Sequence, residues 1–138
     1  MAQPILYFEN AMASIYAHLG GYALLRYHPG ARTLADVHQI LTYTGQLLAQ
    51  RGWHKLFSDQ RLLSPFTEDE QALILDFWQA RHFTHGPTLG AVLLSQDVFT
   101  RLSFHAIREQ AYGALRYQVF EDEAEAASWL QQISTLPS

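Results

Sequence analysis

Hydrophobic and polar positions change period near the end of the chain. Leu115, Tyr117 and Val119 alternate with Arg116 and Gln118, the pattern of a strand with one face in a core and one toward solvent. From Asp122 the period becomes helical. Ala126, Trp129, Leu130 and Ile133 recur at the spacing of one helical face, with Asp122 placed to cap it and Glu125 three residues on. A closing strand-to-helix unit marks an α/β domain. The chain opens differently. Ile5 to Phe8, Met12 to Leu19 and Tyr22 to His28 are short apolar or alternating runs, the first pair broken by Glu9-Asn10 and the third ended by Pro29-Gly30. Gly20-Gly21 predicts a two-residue hairpin loop in which both glycines take positive φ.

Between these ends, helical and extended patterns alternate. Thr33 is the predicted N-cap of a helix with Leu34, Val37, Leu41, Thr44 and Leu48 on one stripe, Asp36 in its first turn and Gly52 at its end. His54 to Asp59 reads as a strand. Thr67-Glu68-Asp69-Glu70 is a Thr-x-x-Glu capping box that opens a second helix through about His82, followed by a loop over Thr84 to Thr88. Leu89 to Ser95 is a continuous apolar run, suited to a central strand covered on both faces. A third helix is predicted from Asp97 to Tyr112, with Phe99, Leu102 and Ala106 inward and Gly113 at its end. The predicted order is β-β-β-α-β-α-β-α-β-α. Right-handed crossovers make the later strands parallel, and the opening hairpin is antiparallel, so the fold class is α/β with a mixed, mostly parallel sheet packed with helices.

The 138 residues and 49% hydrophobic content fit one domain, residues 1–138, with a core that needs no staples. With a net charge of −4 and scattered basic residues, no nucleic-acid footprint is present. The absence of cysteine removes disulfides, thiolate zinc sites and cysteine nucleophiles together. Met1-Ala2-Gln3-Pro4 has no signal-peptide character and no stretch approaches a membrane span, so a cytoplasmic location is expected.

Asp59, Arg61, Ser95, Gln96 and Asp97 fall at the carboxyl ends of the predicted parallel strands, where α/β sheets place ligand crevices. Helix starts near Thr67 and Asp97 could hold a small anion beside Arg61. Against this, Glu68, Asp69, Glu70 and Asp97 already serve as capping carboxylates. The seven histidines form no recognisable ligand set, and no serine elbow or phosphate-cradling glycine loop occurs. No cofactor, metal or enzymatic activity is therefore expected. Helix 2 carries Leu73, Ile74, Leu75, Phe77 and Trp78, more apolar positions than one core-facing stripe needs. That surplus signals deep burial or a surface for a partner, a second subunit or an apolar ligand.

Three segments resemble the STAS-like family, especially its SpoIIAA-like branch of small stand-alone bacterial proteins. Lys55-Leu56-Phe57-Ser58-Asp59-Gln60-Arg61 is similar to the family's apolar strand ending in Asp and a basic residue. Gly90 to Asp97 is similar to its next strand, and Val119-Phe120 through Trp129-Leu130 to its closing pattern. Members that act as phosphorylation switches carry Asp-Ser-x-Gly where the helix after the fourth strand begins. Here Thr67-Glu68-Asp69-Glu70 stands in that place, without the glycine and with an acid near the phosphoacceptor position; Ser64 and Thr67 read as turn or cap residues. The resemblance implies a non-enzymatic regulatory or protein-interaction module acting on a protein partner; a homodimer through helix 2 or the exposed edge of the amino-terminal strands is expected because an unpaired edge or apolar face is a liability. Candidate binding residues are Asp59, Arg61, Thr67, Glu68, Ser95, Asp97, Phe77 and Trp78. The alternative is a binder of a small apolar or lipid-like ligand, since SpoIIAA-like proteins also resemble the lipid-carrying CRAL-TRIO fold.

Overall fold

In a computed structural model, which describes residues 3–111 and 113–133, the three opening runs pair as an antiparallel meander. They form β1 (Ile5–Glu9), β2 (Ala13–His18) and β3 (Tyr22–Tyr27). The remainder alternates as predicted: α1 (Leu34–Arg51), β4 (Lys55–Asp59), α2 (Glu68–His85), β5 (Thr88–Leu93), α3 (Val98–Gln110), β6 (Leu115–Phe120) and α4 (Glu123–Gln132). The six strands lie in sequence order in one sheet, with β3, β4, β5 and β6 mutually parallel. Tyr112, the expected end of the third helix, lies outside the described residues, as do Met1 and Ala2.

The hairpin differs from expectation. Strand β2 stops at His18, the loop is Leu19-Gly20-Gly21, and Gly21 N–H donates to the His18 carbonyl at 3.0 Å. Only Gly21 has positive φ, at 89°, so the loop is of the three-residue kind that ends in a left-handed residue. Helix α2 also runs on to His85, through residues expected to form a loop.

Side-chain alternation assigns the layers. Ala13, Ile15, Ala17, Ala23, Leu25 and Leu56 face the layer of α1, α2 and α3, where Val37, Ile40, Leu47, Ile74, Trp78 and Ile107 meet them. Tyr22, Leu24, Phe57, Ala91 and Leu93 face the other way and are covered by Ala126 and Leu130 of α4. Helix α4 lies against β4, β5 and β6, and among the described residues no helix packs on β1 and β2 from that side. Helices α1 and α2 approach closely where Gly45 lies under the Phe77 ring, within 2.8 Å of where a Cβ would stand. This contact uses the apolar surplus of α2: Ile74 and Trp78 are buried, and Leu73 and Phe77 pack half-buried against the same core.

Helix α3 reverses the expected facing. Its buried stripe is Thr100, Ser103, Phe104 and Ile107, while Phe99 and Leu102, expected inward, are 67% and 60% exposed. The polar members of the stripe are satisfied within the fold. Thr100 Oγ1 lies 2.8 Å from Asp97 Oδ2 and 3.1 Å from the Leu63 carbonyl, sharing its proton between them, and Ser103 accepts from the Phe66 N–H at 3.0 Å. Two small hydroxyls thus fasten the β4–α2 loop to α3 and take the inward positions that a hydrophobicity pattern gives to larger apolar residues.

Candidate functional site

The carboxyl ends of β3, β4, β5 and β6 and the amino ends of α2, α3 and α4 share one end of the sheet. Parallel register sets Arg26 of β3 directly beside Asp59 of β4. Arg26 Nη1 reaches Asp59 Oδ2 at 2.7 Å and Glu123 Oε1, in the first turn of α4, at 3.0 Å. Arg61 closes the ring: its Nε lies 2.9 Å from Asp59 Oδ1, and its Nη2 lies 2.8 Å from Asp59 Oδ2 and 3.0 Å from Glu123 Oε1. Two arginines thus meet two carboxylates, and their formal charges balance. This ring ties α4 to the sheet.

Burial alone would raise the Asp59 carboxyl, but hydrogen bonds from the Arg61 side chain and backbone N–H and from Arg26 outweigh it and hold Asp59 below its usual value of 3.8. A carboxylate depressed in the folded state stabilises the fold fully above the unfolded value and loses that contribution as pH falls through the folded value. Asp59→Asn is therefore expected to cost about 1 kcal/mol at pH 7, small because both arginines are partly solvent-screened. Thermal melts from pH 7 down to pH 3 should show the gap between wild type and variant closing at the acid end. A gap independent of pH would contradict the arrangement.

Elsewhere the candidate residues take structural parts. Thr67 and Glu70 form the reciprocal capping box, Thr67 Oγ1 accepting from Glu70 N–H and Glu70 Oε1 from Thr67 N–H at 2.8 Å. Asp97 caps α3 by accepting from Thr100 N–H at 2.9 Å, and Ser95 Oγ in turn accepts from Asp97 N–H at 3.0 Å. Ser64 accepts from Arg32 Nη1 at 2.8 Å, a contact with the β3–α1 connection and not the turn or cap role expected of it. Glu68 is exposed, makes no ion pair among the described residues, and lines a groove between α2 and α3 with Gln71, Leu75 and Ile107, apart from the Asp59 ring. Trp78, at 4% exposure, belongs to the core and is unavailable to a surface partner.

Two hollows flank Arg61. On the open face of the sheet, about 430 Å³ is bounded by Ser14, Tyr16, Arg26, His28, Asp59 and Leu62, among others. Ser14 is buried there, donates to the Glu9 carboxylate and lies 2.8 Å from His28 Nε2. The second hollow, about 170 Å³, is walled by Arg61, Ser95, Gln96, Arg101, Phe120 and Glu121. Beside it, Val98 at 58% exposure joins Phe99 and Leu102 on the outer face of α3. Among the described residues, no three His, Asp or Glu side chains gather as a metal site, and no helix is long and apolar enough to cross a membrane.

Sequence reasoning overlooked Arg26, Glu123 and the outward face of α3. An arginine directly after Leu24-Leu25 in an otherwise buried strand was the available signal for Arg26. Glu123 carried none, because its partners lie 97 and 62 residues away in the chain.

No family model matches the chain, and no curated protein matches it in sequence. Among solved structures, it is similar to the NMR structure of the protein TM1081, with a TM-score of 0.62 at 10% identity over 96% of this chain and 99% of that one. At that identity the likeness establishes the α/β fold and nothing about activity.

Proposed function

We propose that the chain is a non-enzymatic, STAS-like regulatory module that docks a protein partner on the amino-terminal half of α3. The observation that carries this reading is the exposure of Val98, Phe99 and Leu102 together on one helical face. Burying a side chain of this kind gains about 1.5–3 kcal/mol, so three left in water on one face suit a surface that is covered in use. Arg101, which makes no ion pair among the described residues, lies beside them. The polar residues at the strand ends are engaged in caps and in a neutral ring, in keeping with a role that is not catalytic.

A cross-linked capture from native extract, with wild type and the Phe99→Ser/Leu102→Ser variant run side by side, tests this. A partner recovered at least tenfold less by the variant, from proteins of equal melting temperature, is the expected result. Equal recovery by both, or recovery of the chain's own second copy alone, would overturn it. The lipid-like alternative draws no support from the interior cavity, which at about 50 Å³ is too small for an acyl chain, and would need one of the larger surface hollows.

A further inference from the structure

We propose that the cavity enclosed between the sheet and α1, α2 and α3 binds a small neutral molecule with an apolar body and both a hydrogen-bond donor and an acceptor, such as a short alcohol or primary amide. This site is independent of the α3 surface. Three of the four buried side-chain polar atoms that lack a hydrogen-bond partner among the described residues, Thr44 Oγ1, Gln60 Oε1 and Tyr117 OH, belong to residues lining this one cavity. They come from three different elements or loops: α1, the residue after β4, and β6. A buried orphan forfeits its full desolvation penalty, and valine, methionine and phenylalanine would fill the same places without it. Polar atoms retained at such a cost, and gathered on one cavity, point to something that they bind.

The lining fixes the chemistry of that ligand. No Asp, Glu, Lys, Arg or His contributes to the wall, so a charged molecule would be desolvated without compensation. Gln60 gives its amide N–H to Ser58 Oγ at 3.2 Å, which leaves Oε1 as an acceptor that requires a donor from the ligand. Burial pushes the Tyr117 phenol up to about 12, keeping it a neutral hydroxyl that can give or take a hydrogen bond. The rest of the wall, including Val37, Ile40, Leu56, Ile74 and Ile107, suits an alkyl body. At about 50 Å³ the space is well below the ~150 Å³ of an engineered cavity that accepts benzene, so the occupant has only a few heavy atoms.

Methyl-labelled full-length chain, titrated separately with 1-propanol, propionamide and dissolved xenon, tests the site by NMR. Saturable shifts confined to the methyls of Val37, Ile40, Leu56, Ile74 and Ile107 are expected with 1-propanol or propionamide, at roughly the millimolar affinity so few atoms sustain. Thr44→Val and Tyr117→Phe should each weaken that binding at least tenfold while leaving xenon uptake and melting temperature undiminished. Gln60→Met supplies a third variant should either of those fail to fold. Entry of xenon alone, no saturable shift with either polar probe, or equal affinity in the variants would overturn the site and leave internal water as the partner of these atoms. None of these outcomes bears on the α3 surface.

Discussion

Glu70→Ala is expected to remove about 3–5 kcal/mol from the unfolding free energy, the usual consequence of leaving one member of a buried ion pair alone. Glu70 and Arg32 are joined twice, Nε to Oε2 and Nη2 to Oε1, both at 2.8 Å, with each side chain only 7% exposed. Arg32 also donates to Ser64 Oγ and the Pro65 carbonyl and lies over the Phe66 ring, so it pins the β4–α2 loop to the start of α2. Removing the carboxylate strands a buried guanidinium and frees the Thr67 N–H that closes the capping box. Urea unfolding at pH 7 measures the loss, and a value under about 1 kcal/mol would contradict the burial of the pair. The double variant Arg32→Met/Glu70→Met should recover most of it, since an apolar pair of similar volume leaves no charge behind. Acid should erode the same contribution. Burial alone would raise the Glu70 carboxyl, but the Arg32 hydrogen bonds and the Thr67 N–H outweigh it and hold it below the ordinary 4.5. The stabilisation is thus complete above the unfolded value and is lost as pH falls through the folded one.

Trp78→Ala is expected to cost as much, about 3–5 kcal/mol, for a different reason. Its indole is buried among α1, α2 and the sheet and meets Phe77 edge to face at 5.0 Å between ring centroids. It also borders the interior cavity, so truncation enlarges a space that its rigid surroundings do not close. For a domain whose whole stability is about 5–15 kcal/mol, such a loss is visible as a large fall in melting temperature. Partner capture by the fraction that remains folded should be undiminished. Selective loss of a partner at unchanged stability would return Trp78 to the surface role that its place on an apolar-rich helix first implied.

The order of elements was legible because each carries its own local signal. The capping sequences Thr33-Leu34-Ala35-Asp36 and Thr67-Glu68-Asp69-Glu70 place helix starts, and strict alternation in Leu115 to Val119 places a one-sided edge strand. Facing and partnership were not legible where distant backbone decides them. Thr100 and Ser103 point inward because loop groups 37 residues away accept or donate their hydrogen bonds, and that turned Phe99 and Leu102 outward. The Asp59 ring depends on parallel register, which brings Arg26 alongside from 33 residues away. Asp59 and Arg61 were found from their strand-end positions. Their pairing with Arg26 and Glu123 had no local signature.

The proposed role of α3 is tested most directly by amide hydrogen exchange on the chain alone and in complex with whatever partner the cross-linked capture identifies. Protection gained on binding should centre on residues 98–106, with the open face of β1 and β2 and the α1–α2 surface exchanging as in the free chain. Protection confined to β1–β2 or to the outer faces of α1 and α2, with residues 98–106 unchanged, would contradict docking on α3.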